Sequence, residues 1–205
     1  TRSTTRQVHE GPVRDRARKS IEFMTTWWYM DTENYIMLSN HDAAEKFAGE
    51  ILDEMEMMRT HYEVVAPKFP TADDDIGVIR LFSDDVGYLS YLGEDFSMMD
   101  PTATGGIFSG ARRELVIRPV SGNMRAEREG SIRGIIKHEG FHQYVFMAMD
   151  GISPSAWFNE GFASFFENCE LDRRGAITVM ESAYHSDILT DLIKRGDYNW
   201  EDVLR

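Results

Sequence analysis

Cysteine is almost missing from this 205-residue chain: Cys169 stands alone, so no internal disulfide and no cysteine-based zinc site can form. No apolar run approaches the length of a bilayer crossing, and no charged-then-apolar leader opens the chain. Positive charge is scarce as well. Lys and Arg number 22 against 35 Asp and Glu, a formal net charge of −13, which argues against nucleic acid as a partner because phosphate binding needs clustered cations. The one basic run, residues 14–19, is short and reads as a solvated helix start or tail. The chain opens at Thr1 rather than Met, so a processed or trimmed product is one expectation and an exported origin another; cysteine usage does not fix the compartment.

What is present suits one enzyme-like domain. Hydrophobic residues make up 42% and charged residues 28%, ordinary values for a globular protein of a size that buries a single core. Residues 1–26 are polar and basic and are expected to be a flexible segment. Residues 27–205 are expected to form one α+β domain, a small mixed or antiparallel sheet packed against helices. Tyr35 to Ser39 reads as a strand. Asp42 and Glu45 are spaced as a capping box, followed by a helical stripe of Phe47, Ile51, Met55, Met58 and Tyr62. Asp73, Asp74 and Asp75 lack EF-hand spacing and read as a solvated loop. Residues 76–82 form a buried strand, and Ser83-Asp84-Asp85 starts a short helix. Gly105 to Phe108 and Leu115 to Ile117 are expected to pair around a turn at Ser109-Gly110.

The chemistry concentrates in two blocks, His138-Glu139-Gly140-Phe141-His142 and Asn159-Glu160-Gly161-Phe162-Ala163. On a helix expected over 131–149, histidines at i and i+4 lie one turn apart on one face, within reach of a single zinc ion. Catalytic zinc takes three protein ligands and a water, so a third donor is required. Glu160 is the candidate: it follows His142 by 160 − 142 = 18 residues, room for a helix to stop at Asp150-Gly151 and another to start at Pro154-Ser155. A carboxylate among Trp157, Phe158, Phe162, Phe165 and Phe166 would be costly to bury unpaired, a cost that a cation would offset. On the same face, Ser164 or Glu167 could orient a ligating histidine. A metzincin would need Gly and His at the third and sixth residues after His142, where this chain has Val145 and Ala148.

These blocks resemble the gluzincin clan of zinc metallopeptidases, and more closely the peptidase MA-like domain, with its H-E-G-x-H-Q and W-x-N-E-G-x-A-x-x-F-E patterns. His138 to Gln143 and Trp157 to Glu167 match those patterns, and Tyr35 to His61, Tyr88 to Gly93 and the Gly105-Gly106 stretch are similar to the family's front half. The resemblance implies a zincin-like fold and one zinc per chain held by His138, His142 and Glu160. It also implies Glu139 as general base and a peptide or protein as substrate. Gly105, Gly106 and Ile107 resemble the family's edge strand, where glycines would let an extended substrate approach. Related enzymes add a Tyr or His oxyanion donor after the third ligand, which points to Tyr184 or His185; the family usually continues beyond a stretch like Trp200 to Leu204, so a C-terminally truncated domain is a further expectation. Two alternatives stay open: a catalytically silent binding module, and a zinc hydrolase of another amide or ester.

Overall fold

A computed structural model describes residues 2–3, 9–41, 45–69, 76–93, 105–118, 125–181 and 183–196. Six strands, β1 (Arg2–Ser3), β2 (Trp28–Asp31), β3 (Tyr35–Ser39), β4 (Gly77–Leu81), β5 (Gly106–Ser109) and β6 (Glu114–Ile117), form a sheet in the order β1-β2-β3-β4-β6-β5. The sheet is mixed: β3, β4 and β6 run parallel, while β2 pairs antiparallel with β3 and β5 antiparallel with β6. Helices α1 (Pro12–Ser20), α2 (Glu45–Val65), α3 (Asp85–Leu92), α4 (Arg125–Ala148), α5 (Ala156–Glu167) and α6 (Ala183–Arg195) complete the described α+β architecture, with a separate hairpin of β7 (Cys169–Leu171) and β8 (Ile177–Val179).

Period-two alternation divides the central strands between two hydrophobic layers. Tyr35, Met37, Ile79, Leu81, Leu115 and Ile117 face a core shared with α2, α4 and α5. Ile36, Leu38, Val78 and Val116 face the other way, onto α1 and α3. Strands covered on both faces are buried at every position, as β3 and β4 are, with Arg80 the one charged residue among them. The stripe expected on α2 is real, with Ile51, Met55, Met58 and Tyr62 all at or below 1% exposure. Asp84 caps α3 by accepting a hydrogen bond from the Gly87 N–H at 2.7 Å. The capping box at Asp42 and the acidic stretch at Asp73 to Asp75 fall outside the described residues.

The flexible segment expected over 1–26 is a correction for its described part. Helix α1 packs Ala17 and the following Ile21 into the second core, and Arg14 is buried against an Asp31 carboxylate that has no exposed surface. The Arg14 Nε donates to Asp31 Oδ1 at 3.1 Å and Arg18 Nη2 reaches Asp31 Oδ2 at 2.5 Å. Breaking a buried pair of this kind costs about 3–5 kcal/mol, so α1 is anchored to β2 rather than tethered. Its signal in the sequence is weak because the buried stripe is only Val13, Ala17 and Ile21, threaded through charged residues.

Candidate metal centre

Helix α4 is longer than the 131–149 span expected, beginning at Arg125, and it stops where foreseen. Gly151 N–H bonds the Phe146 carbonyl at 2.7 Å and Asp150 N–H the Met147 carbonyl at 3.3 Å, the two bonds of a Schellman stop. Asp150 itself takes the left-handed position at φ 53°. The chain then returns as α5 along α4. Close approach is possible because Gly134 faces Glu167: a Cβ there would lie 3.3 Å from both the Glu167 Cγ and its carbonyl oxygen. Gly140, between the histidines, has a similar reason, since a Cβ would meet Met55 Cε at 2.4 Å. Gln143, fully buried, donates to the Val78 carbonyl at 3.0 Å and the Arg113 carbonyl at 3.3 Å, which ties α4 to the sheet.

This framework brings His138, His142 and Glu160 together, with donor atoms all within 4.8 Å of one another, a group that could hold a metal ion. His138 Nε2 lies 3.6 Å from Glu160 Oε2 and His142 Nε2 lies 3.6 Å from Glu160 Oε1. Both separations exceed an ordinary hydrogen bond. On its other nitrogen, His138 Nδ1 meets Glu167 Oε2 at 3.0 Å. That bond favours the proton on Nδ1 and leaves Nε2 as the free donor. Of the two orienting groups expected, Glu167 therefore contacts an imidazole, whereas the Ser164 hydroxyl has no hydrogen-bond partner among the described residues. His142 Nδ1 is buried and also without one.

The burial argument for Glu160 is overturned. Its side chain is 62% exposed, so no desolvation cost calls for a cation; Phe166 of α5 packs on Phe141 of α4 in the core, Trp157 is exposed, and Glu160 looks into an open cleft of about 210 Å³. That cleft is lined by Phe108, Val145, Phe146, Ile152 and Pro154 alongside His142, Glu139 and Glu160.

Compared with known proteins, the chain matches no family model and no curated protein. The site has to be read from its own geometry.

Glu139 lines the same cleft as His142 and Glu160, and on the side of the sheet its Oε2 accepts the Phe108 N–H at 2.8 Å. Burial pushes its carboxyl above the ordinary range, aided by the Glu160 charge, while the Phe108 N–H and the two imidazoles pull it back. For His138, burial opposes the charged form, but the hydrogen bond to Glu167 and the charges of Glu139, Glu167 and Glu160 outweigh it and raise the pKa. A raised pKa means the proton is held to higher pH, so any metal at Nε2 must displace it. Metal affinity is expected to fall as pH drops through that raised value, and Glu167→Gln, which removes one source of the rise, should move the midpoint to lower pH. The same substitution loosens the imidazole and should weaken metal binding at pH 8 by about 10–100-fold, measured by competition with a chromogenic chelator.

The expected strand contact needs a correction in register. Phe108 N–H points to Glu139, away from β6, so Phe108 and its partner Leu115 form a non-hydrogen-bonded pair. The alternation then turns the Ile107 backbone towards β6, and Gly105 faces the same way, its carbonyl accepting the Arg118 N–H at 2.9 Å. Gly106 and Phe108 are the residues with outward-facing backbone groups. The two glycines also have a packing reason: a Cβ on Gly105 would meet Ile135 Cδ1 at 2.2 Å, and one on Gly106 would meet Ile135 Cγ2 at 3.0 Å. Sequence reasoning missed Phe108, whose contribution is a main-chain N–H that any non-proline residue carries. Tyr184 and His185 start α6, and their side chains lie outside the described residues.

Proposed function

We propose that this chain is a zinc-dependent metallopeptidase with a zincin-like, gluzincin-type catalytic domain. The reading rests on the two Nε2 atoms that each face one oxygen of Glu160 at 3.6 Å, with the Glu139 carboxylate beside them. Zinc bonds of about 2.1 Å at tetrahedral angles put neighbouring donors about 3.4 Å apart, close to that spacing, and two imidazoles with one carboxylate are a donor set suited to zinc. When bound by His138, His142 and Glu160, zinc would supply Lewis acidity and lower the pKa of a coordinated water towards neutrality.

Glu139 holds and moves the proton. Its raised pKa makes it a better base near neutral pH than an ordinary glutamate, and the Phe108 N–H fixes the carboxylate's aim. The proton taken from the attacking water is then returned to the leaving amine. Beside it, the outward backbone groups of Gly106 and the Phe108 carbonyl, the Phe108 N–H being held by Glu139, offer an extended peptide a short edge to pair with at little sequence preference. The apolar wall of Phe108, Val145, Phe146 and Ile152 suits a hydrophobic side chain next to the scissile bond.

Incubation of the purified chain with a broad peptide library, with and without a chelator, tests the reading. Chelator-sensitive cleavage is the expected result. Intact peptides with full metal occupancy would leave a silent binding module, and turnover of ester or non-peptide amide probes alone would leave another zinc hydrolase.

A further inference from the structure

One face of α4 carries Gly134, Lys137 and His138, spaced i, i+3 and i+4, and all three meet the chain where α5 ends. Gly134 lets the Glu167 backbone lie close, His138 Nδ1 meets Glu167 Oε2 at 3.0 Å, and the buried Lys137 ammonium donates to the carbonyl of Cys169, just past the end of the helix. Of the three, Lys137 is the one whose side chain bonds to the main chain there. Its charge is offset by Glu54 of α2, whose Oε1 lies 3.6 Å away and whose Oε2 accepts Arg133 Nη1 at 2.7 Å.

A buried ammonium is a poor source of stability, because its desolvation can cost more than an ion pair returns and an apolar side chain of similar volume often serves as well. What it supplies that an apolar residue cannot is a directed donor. The packing of the two helices does not rest on it: α5 is set against α4 through Phe141 and the rings of Phe158, Phe162 and Phe166. The β7–β8 hairpin has its own tie to α2, where His61 Nε2 meets the Gly175 carbonyl at 2.7 Å. What is left to the lysine is the exact place at which the last turn of α5 stops along α4, and Glu167 is in that turn.

We propose that Lys137 is a positioning residue of the metal centre: by holding the Cys169 carbonyl it sets the end of α5 so that the Glu167 carboxylate meets His138 Nδ1 and turns Nε2 towards the other two donors. It touches neither metal nor substrate and acts through Glu167. The inference rests on the donor trio of the peptidase reading and not on turnover.

Zinc affinity of the full chain, read by chelator competition, tests it through a double-mutant cycle of Lys137→Met and Glu167→Ala. Loss of an orienting carboxylate weakens a metal site by about 10–100-fold, and Lys137→Met, one step removed, should weaken it by at least about threefold. Its melting curve should stay close to that of the wild type, because Glu54 keeps Arg133 as a partner. In the double variant the lysine change should add less than about twofold, since a residue that acts through Glu167 has nothing left to act on, whereas a merely structural loss would add in full. The metal-free chain gives a second readout. There the His138 Nδ1–H, assigned by its absence in His138→Gln, should exchange with water about tenfold faster in Lys137→Met, as the bond to Glu167 opens more readily. Lys137→Gln, one bond shorter than lysine, carries the same expectations and replaces the methionine variant if that does not fold. A wild-type chain that takes up no zinc would end the metal-site reading and leave the exchange rate to decide this one. Unchanged zinc affinity and exchange in Lys137→Met, or full additivity in the double variant, would overturn the proposal.

Discussion

Glu139→Gln is expected to reduce peptide hydrolysis by about 10²–10⁴-fold, the range that a positioned general base contributes, while metal content stays at one ion per chain. The amide is nearly isosteric and can still accept the Phe108 N–H that now bonds Oε2 at 2.8 Å, so the site's packing should survive. What it cannot do is take a proton. Turnover and metal stoichiometry measured on one preparation separate the two roles. Loss of metal together with activity would show that Glu139 belongs to the ion's own shell, and unchanged turnover would remove it as the base.

Glu160→Ala should have the opposite signature. Removing a direct donor from the trio leaves two imidazoles, and the loss in metal affinity should exceed the roughly 10–100-fold that follows from losing an orienting partner. Because the side chain is 62% exposed, its deletion leaves no buried cavity, and thermal stability of the metal-free protein should change by less than about 1 kcal/mol. Metal content by atomic emission, alongside a melting curve, reads both. Full occupancy in the variant would end the ligand assignment. Asp150, the next carboxylate after His142 in the sequence, takes the left-handed position that terminates α4.

The parts of this site that were legible in the sequence are those in which side-chain identity and local spacing suffice. An i, i+4 histidine pair shares a helix face whatever the rest of the chain does, and the Asp150-Gly151 stop dictates that Glu160 returns on a second helix. Strands β3 to β6 and the α2 stripe were legible for the same reason, whereas β2 and the β7–β8 hairpin were not read as strands. Features that depend on tertiary contact were not. Phe108 enters through its main chain, which leaves no mark on residue identity. Whether Ile107 or its neighbours look outwards depends on the parity of one hydrogen-bond register, and a single-residue slip reverses it. Five aromatic residues beside Glu160 in the sequence imply its burial only if they share its side of the helix; Phe158, Phe162, Phe165 and Phe166 pack on the core instead, and Trp157 is itself 47% exposed. Helix α1 was overlooked because an ion pair and a three-residue stripe, rather than an amphipathic run, hold it in place.

Strand β5 ends the order of the described sheet, and such a strand is a template on which a neighbouring molecule can add its own. Four residues long, it presents only two outward-turned positions, Gly106 and Phe108, and at the second the N–H is already satisfied by an anionic side chain. A foreign strand would have to displace that carboxylate to gain a ladder too short to persist by itself. The glutamate proposed to transfer the proton thus also occupies one of the two outward N–H groups by which this edge could be extended.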